Sequence, residues 1–339
     1  GLDVSVLGLD HPDWATEKHE WDGIPTTVTP VKGPRAFGYS PDMARVLREM
    51  DPDVVHLHGL WMHPGRSVLQ WHRATGKPFI LSPHGMLSEV ALSYGRRKKQ
   101  AVSRLFQDAV FRPATVLHAT SEAEEQEFRN YGLHGTVSIV PNGISDLDNP
   151  LKGEHPGRTI LSLGRIHKKK ALDHLIRAWQ TLEADFPEWN LLIVGPDELG
   201  EAEKLANMIR DAGLERAEVR EPVYGAEKIR LMASAGVFAL PTRSENFALT
   251  VAESLILGVP VVSSMGAPWA GLETEKCGRW VPIGAEHMAN ALREVMGSSD
   301  TERMQMGARG RAWMLRAVSW PSVAAKLQHC YAEAISTSQ

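Results

Sequence analysis

The 339-residue sequence predicts an α/β protein built as two doubly wound parallel-sheet domains facing a cleft. Three observations lead there. Strand-length apolar runs alternate with helix-length amphipathic stretches along the whole chain, the pattern of parallel sheets covered on both faces. A turn-rich segment, NGISDLDNPLKGEHP at 142–156, interrupts the alternation midway. The residues with the most chemistry stand just after strands, where open α/β sheets bind ligands.

Strands are expected at 4–7, 26–28, 54–57, 79–81, 116–118 and 137–140, with helices between most of them, such as 41–50 and 121–131. Beyond the linker they are expected at 159–163, 191–194, 218–220, 237–240, 260–263 and 280–282, with helices such as 171–182. Residues after Met296 read as helical, with Trp320 and Pro321 marking a break. The expected domains are 1–148 and 149–315, with a tail at 316–339 crossing back to the first. The first strand follows no strand–glycine-turn–helix unit, so the first domain is expected either to lack that unit and be N-terminally short or to build its first sheet differently.

Composition narrows the function. Hydrophobic residues make up 43% and charged residues 23%, ordinary globular values. A formal charge of −4 gives no basic footprint for nucleic acid. Cys277 and Cys330 are too few for a disulfide framework and fit a reducing, cytoplasmic compartment. No apolar run has the length of a membrane span.

The most informative segment is PTRSENFALTVAESLILGVPVV at 241–262. It places Glu245 in a loop after one strand and Glu253 on the following helix, with Gly258 where a C-terminal cap belongs. Free helix N–H groups between two carboxylates suit a phosphate flanked by the hydroxyls of a nucleotide sugar. In LGRIHKKKAL at 163–172, Gly164 ends a strand, and Arg165 and Lys170 are spaced to reach one anion. The plain alternative is a solvated basic turn. In SPHGML at 82–87, His84 and Gly85 follow a strand, either as a sugar contact or as structural residues. In VVHLHGLW at 54–61, His56 and His58 share a strand face. A metal pair is conceivable there but lacks an evident third ligand; His58, Gly59 and Trp61 lining the cleft is the preferred reading. The DxD strings at 51–53 and 146–148 read as turn residues. In YGRRKKQAVSRLFQDAVFR at 94–112, Arg96 and Arg97 open a basic block, and Val102, Leu105, Phe106 and Val110 space an apolar face. This helix either meets an anionic acceptor or the inner membrane leaflet peripherally, or faces the core with a wet basic end.

Taken together, GR(x4)K at 164–170, E(x7)E at 245–253, the HG of 84–85 and VPNGI at 140–144 resemble family 4 retaining glycosyltransferases of the GT-B fold, over nearly the whole chain. APWAGL at 267–272 and MGARGRAWMLRAVSW at 306–320 look like the branch that builds bacterial exopolysaccharide and lipopolysaccharide. The resemblance implies hexose transfer from a UDP- or GDP-sugar to a glycan or lipid-linked acceptor, with no metal and no cofactor beyond the donor. It gives Arg165 and Lys170 the donor diphosphate, Glu253 the ribose, and Glu245 and His84 the transferred sugar. Gly164 and the backbone of Asn246, Phe247, Ala248 and Leu249 would hold phosphate and hydroxyls. His58, Trp61, Arg96 and Arg97 are the acceptor-side candidates. Ala248 and Ala171 stand where that family favours glycine, and the family's glycine-rich loop after the first strand is missing. An inactive sugar-nucleotide-binding protein and a nucleotide-sugar epimerase of the same fold are the alternatives.

Overall fold

The computed structural model describes residues 1–150 and 157–337; positions 151–156 of the expected linker lie outside the described residues. The strands are β1 (Val6–Leu9), β2 (Thr26–Thr29), β3 (Val55–His58), β4 (Phe79–Ser82), β5 (Val116–Ala119), β6 (Val137–Ile139), β7 (Thr159–Leu163), β8 (Asn190–Val194), β9 (Ala217–Arg220), β10 (Val237–Leu240), β11 (Val261–Ser264) and β12 (Gly278–Val281). Each lies within two residues of its sequence expectation. All ladders are parallel. The chain forms two compact units, residues 1–140 with 324–339, and residues 141–323.

In the first unit, β3-β4-β5-β6 form one sheet and β1-β2 a separate pair, so the first strand does not enter the four-stranded ladder. Leu7 nonetheless packs against the main core, which holds Trp71, Phe79, Leu81 and Phe128. The opposite face of β4 and β5 presents Ile80 and Val116, covered by Cys330 and Ala334 of the C-terminal helix Trp320–Thr337. In the second unit the six strands run in the order β12-β11-β10-β7-β8-β9. Ile160, Val237 and Ala239 point to one core, and Leu161, Phe238 and Leu240 to the other. Neighbouring residues thus bury on opposite faces, the reason these strands read as continuous apolar runs.

The segment 94–112 corrects one expectation. It folds as the helix Arg96–Val102, a π-helical turn Ser103–Gln107, and the helix Asp108–Phe111. The wide π turn shifts the helical register, so Leu105 is 77% exposed while Phe106 and Val110 are buried. Cys277 and Cys330 are unpaired and buried. Burial pushes the Cys277 thiol up to about 12 and raises that of Cys330. No helix among the described residues is long and apolar enough to cross a membrane.

Candidate functional site

Two clusters of polar side chains gather at the carboxyl ends of strands, one in each unit.

In the second unit, Gly164 directly follows the end of β7, and the chain closes a short 3-10 turn, Lys168–Lys170, before the helix Leu172–Gln180. The His167 ring accepts from the Lys169 N–H and fixes this turn. β8 ends against it so closely that a Cβ on Gly195 would lie 1.8 Å from the Gly164 carbonyl oxygen. The turn delivers the Lys170 ammonium to the loop after β10, where Nζ lies 2.8 Å from Glu245 Oε1, with side-chain exposures of 17% and 14%. Thr242 donates its hydroxyl to the same oxygen at 3.0 Å. The Arg243 N–H donates to the Lys169 carbonyl, stitching the two loops together.

The helix Leu249–Ile256 starts with Ala248 in the left-handed region, φ +64°, and no side chain caps its N-terminus. Ala171 is also left-handed, φ +49°. These are the two positions where glycine was expected, and each alanine bears backbone strain there. Phe247 is buried, and its carbonyl accepts from the Trp269 indole, while the Asn246 side-chain oxygen is buried without a partner. Glu253 accepts from Lys228 Nζ at 2.6 Å through Oε1, whereas its Oε2 is buried and unpartnered. Such an orphaned carboxylate oxygen is a vacancy for a hydroxyl donor. Arg165 does not join this group by any ion pair; it faces Glu198 at 3.2 Å and is 69% exposed.

Lys228 carries no signal in the sequence. It lies 25 positions before its partner, on the helix Gly225–Ala233, and only the fold brings the two together.

In the first unit, β3 and β4 end side by side, with His58 paired in register with Ser82. His84 has φ +53° and Gly85 φ +72°. The two imidazoles of His58 and His84 stack within 6° of parallel, with Nδ1 of the first 2.8 Å from Nε2 of the second. Glu124, buried, accepts from the Gly85 N–H at 2.6 Å and from the Thr120 N–H and hydroxyl at 2.7 and 2.8 Å, and so pins the His84–Gly85 turn. In sequence it resembled an ordinary first-turn acid of the helix Glu122–Tyr131.

His56 enters a different network. Its Nε2 lies 2.6 Å from Ser82 Oγ, which lies 2.7 Å from His118 Nδ1; His118 Nε2 is 2.7 Å from the Val140 carbonyl. Tyr331 OH meets His56 Nδ1 at 2.9 Å. A carbonyl only accepts, so every hydrogen in the chain is directed: Tyr331 donates to His56, His56 to Ser82, Ser82 to His118, and His118 to Val140. The conceivable metal pair is thereby replaced, because both His56 nitrogens are engaged by protein groups. Burial lowers all four histidines, with the neighbouring rings adding to it for His56 and His58; His56 falls to about 2 and His58 to about 4.

Trp61 has φ +69° and donates its N–H to the Gln107 side chain at 2.9 Å. Arg96 and Arg97 are exposed on the helix Arg96–Val102.

Comparison with known proteins decides the family. Residues 1–143 match the family model described as "Glycosyl transferase 4-like domain", and residues 146–313 match "Glycosyl transferases group 1". A D-inositol 3-phosphate glycosyltransferase of a Nocardioides species is 30% identical over 83% of this chain and 67% of its own length. The chain belongs to the family 4 glycosyltransferases. A GDP-mannose:cellobiosyl-diphosphopolyprenol alpha-mannosyltransferase of Xanthomonas campestris is 27% identical over 92% of this glycosyltransferase and 82% of its own chain. The Anabaena HepE structure, in complex with UDP, superimposes with a TM-score of 0.75 at 17% identity, covering 97% of this chain and 100% of that one, a likeness of GT-B fold.

Proposed function

We propose that this glycosyltransferase moves a hexose from a UDP- or GDP-linked sugar to a hydroxyl of a lipid-linked glycan, with retention of anomeric configuration and without a metal ion, in cell-surface polysaccharide synthesis. The observation that carries this reading is the pairing of both acids of the E(x7)E segment with lysines around an uncapped helix start, Lys170 with Glu245 and Lys228 with Glu253. The mannosyltransferase relative, which by name uses GDP-mannose and a diphosphopolyprenol acceptor, and the UDP-bound fold relative support the two donor classes and the lipid carrier.

In this mechanism the donor diphosphate takes over the Lys170 ammonium from Glu245 and gains the free N–H groups at Ala248 and Leu249. Arg165, exposed on its turn, swings from Glu198 to the same phosphates. These positive groups stabilise the charge that develops on the departing diphosphate. Glu245, released, accepts from the hydroxyls of the transferred sugar, and Glu253 Oε2 from a ribose hydroxyl. The acceptor hydroxyl attacks on the face the diphosphate leaves, and the leaving phosphate takes its proton. His84, held neutral by burial, is suited to hydrogen-bond sugar hydroxyls. The first unit's basic helix would bring the enzyme to the cytoplasmic face of the membrane that carries the acceptor.

The test is a transfer assay in excess EDTA, with UDP-glucose and GDP-mannose as donors and a prenyl-diphosphate disaccharide as acceptor, the product's anomeric configuration being read by NMR. Wild type should turn over and give the donor's configuration. Lys170→Ala should lose on the order of 10²-fold or more in kcat. Full turnover by that variant, or an inverted product, would refute the mechanism.

A further inference from the structure

The His58–His84 pair differs from the directed chain through His56, because no carbonyl fixes where its hydrogens lie. Nδ1 of His58 is 2.8 Å from Nε2 of His84. Both rings are neutral at neutral pH. Burial, then the rings of His84 and His118, lowers His58 to about 4; burial lowers His84 against the opposing pull of Glu124. A contact of this length between neutral rings needs a hydrogen on one nitrogen and none on the other.

A neutral imidazole carries one ring N–H, so only two arrangements exist. If His58 donates from Nδ1, its Nε2 is bare, and His84 carries its own hydrogen on Nδ1. If His84 donates from Nε2, its Nδ1 is bare, and His58 carries its hydrogen on Nε2. The two rings must therefore share one tautomer. The outer nitrogens, His58 Nε2 and His84 Nδ1, are then always of opposite sense, one a donor and the other an acceptor. Among the described residues no group bonds to either of them.

The pair is braced on both sides. The His58 ring lies against that of His56, centres 4.2 Å apart, and Ser82 and Tyr331 hold His56. His84 has a left-handed backbone, φ +53°, and the Glu124 carboxylate holds the next peptide through the Gly85 N–H. A strained residue kept in place by its surroundings is characteristic of a functional site.

We infer that His58 is a positioning residue for His84: it occupies Nε2, leaves Nδ1 as the one nitrogen that His84 presents to a sugar hydroxyl, and sets through the shared hydrogen whether that nitrogen donates or accepts. The inference rests on the transferase reading, which gives His84 the sugar, and deepens it by naming the atom presented and the residue that prepares it. A hydroxyl both donates and accepts, so it fits either state of the pair and, once bound at His84, fixes the sense of His58 Nε2.

The test joins magnetic resonance of the full chain, with ring-labelled histidine at neutral pH and no substrate, to transfer kinetics. The signals of His58 and His84 are assigned by their loss in His58→Leu and His84→Leu. The expected result is the same fraction of Nδ1–H tautomer in both rings, and a changed fraction at His84 in His58→Leu. In the transfer assay His58→Leu should lose on the order of tenfold in kcat/KM, the worth of one oriented hydrogen bond. His58→Asn, whose amide can donate or accept close to the place of Nδ1, should recover most of that loss. Circular dichroism and thermal unfolding establish that each variant is folded; if His58→Leu is not, His58→Phe, which keeps a flat ring against His56, replaces it. Unequal fractions in the two rings overturn the inference, as does a His84 fraction unchanged by the substitution. Equal losses in folded His58→Leu and His58→Asn, or no loss in either, overturn it too. Should wild type transfer nothing from any donor, the transferase reading falls, and the tautomer fractions still decide whether His58 governs His84.

Discussion

The directed chain through His56 makes the first unit acid-sensitive, by an amount that can be worked out. Protonating His56 would place a hydrogen on Nδ1, where Tyr331 already donates, inside a half-buried cluster of other imidazoles. Burial, and then the neighbouring rings, hold its pKa at about 2, against an ordinary value of 6.5. The folded value lies below the unfolded one, so the unfolded chain takes up this proton first as pH falls. The stability tied to neutral His56 is therefore complete above pH 6.5 and is lost progressively toward pH 2. Between pH 7 and pH 5 the loss from this one residue is about 2 kcal/mol. The figure depends almost wholly on the unfolded value once the folded one lies well below 5. His58, lowered to about 4 but exposed on its strand end, adds less because solvent screens it. The assay is urea unfolding at the two pH values, followed by amide exchange in β3–β5 so that the first unit is scored by itself. His56→Gln keeps a donor toward Ser82 and removes the titrating group, so its stability should fall by about 2 kcal/mol less than wild type over the same interval. Equal losses in both proteins, or a folded-state His56 titrating near 6.5 by NMR, would refute this account.

Two further outcomes follow from the second unit. Ala248→Gly should raise its thermal midpoint by roughly 2–4 °C, because relief of left-handed strain outweighs the extra unfolded-state entropy of glycine by about 1 kcal/mol; a lower midpoint in calorimetry would contradict the strain at φ +64°. Lys228→Met should destabilise by about 1 kcal/mol, a figure kept low because both side chains are roughly a quarter exposed, at 27% and 23%. On the proposed donor site it should also weaken nucleoside diphosphate binding on the order of tenfold by leaving the Glu253 carboxylate unoriented; unchanged titration curves would show that Lys228 has no part in presenting Glu253.

What the sequence revealed and what it concealed divide along the same physical line. Parallel strands buried on both faces leave a one-dimensional trace, so the strand runs of β7, β8 and β10 were plain. Residues spaced along a strand-to-helix turn were also plain, because such turns place Lys170 and Glu245 at the carboxyl ends of the central strands β7 and β10. Partnerships between distant elements left none. Arg165 looked like a companion of Lys170 and pairs instead with Glu198, 33 residues away. Lys228 and Glu124 looked like ordinary helix residues, yet one anchors Glu253 and the other holds the turn carrying His84. Leu105 fitted an apolar stripe at regular helical spacing, and one wide turn put it in water. The histidines of β3 left a metal pair conceivable in sequence, because the groups that engage His56, Ser82 and Tyr331, belong to other parts of the chain.

Both native thiols lie sealed in apolar surroundings, Cys277 at 0% and Cys330 at 1% exposure, with their ionisation suppressed. The folded chain consequently offers a silent background to maleimide reagents. A cysteine introduced at an exposed site such as Leu105 would label alone, and a second at Tyr224, 70% exposed, would label with it. Such a dye pair, one on each unit, would let energy transfer follow the enzyme through its working cycle without first stripping it of natural cysteines.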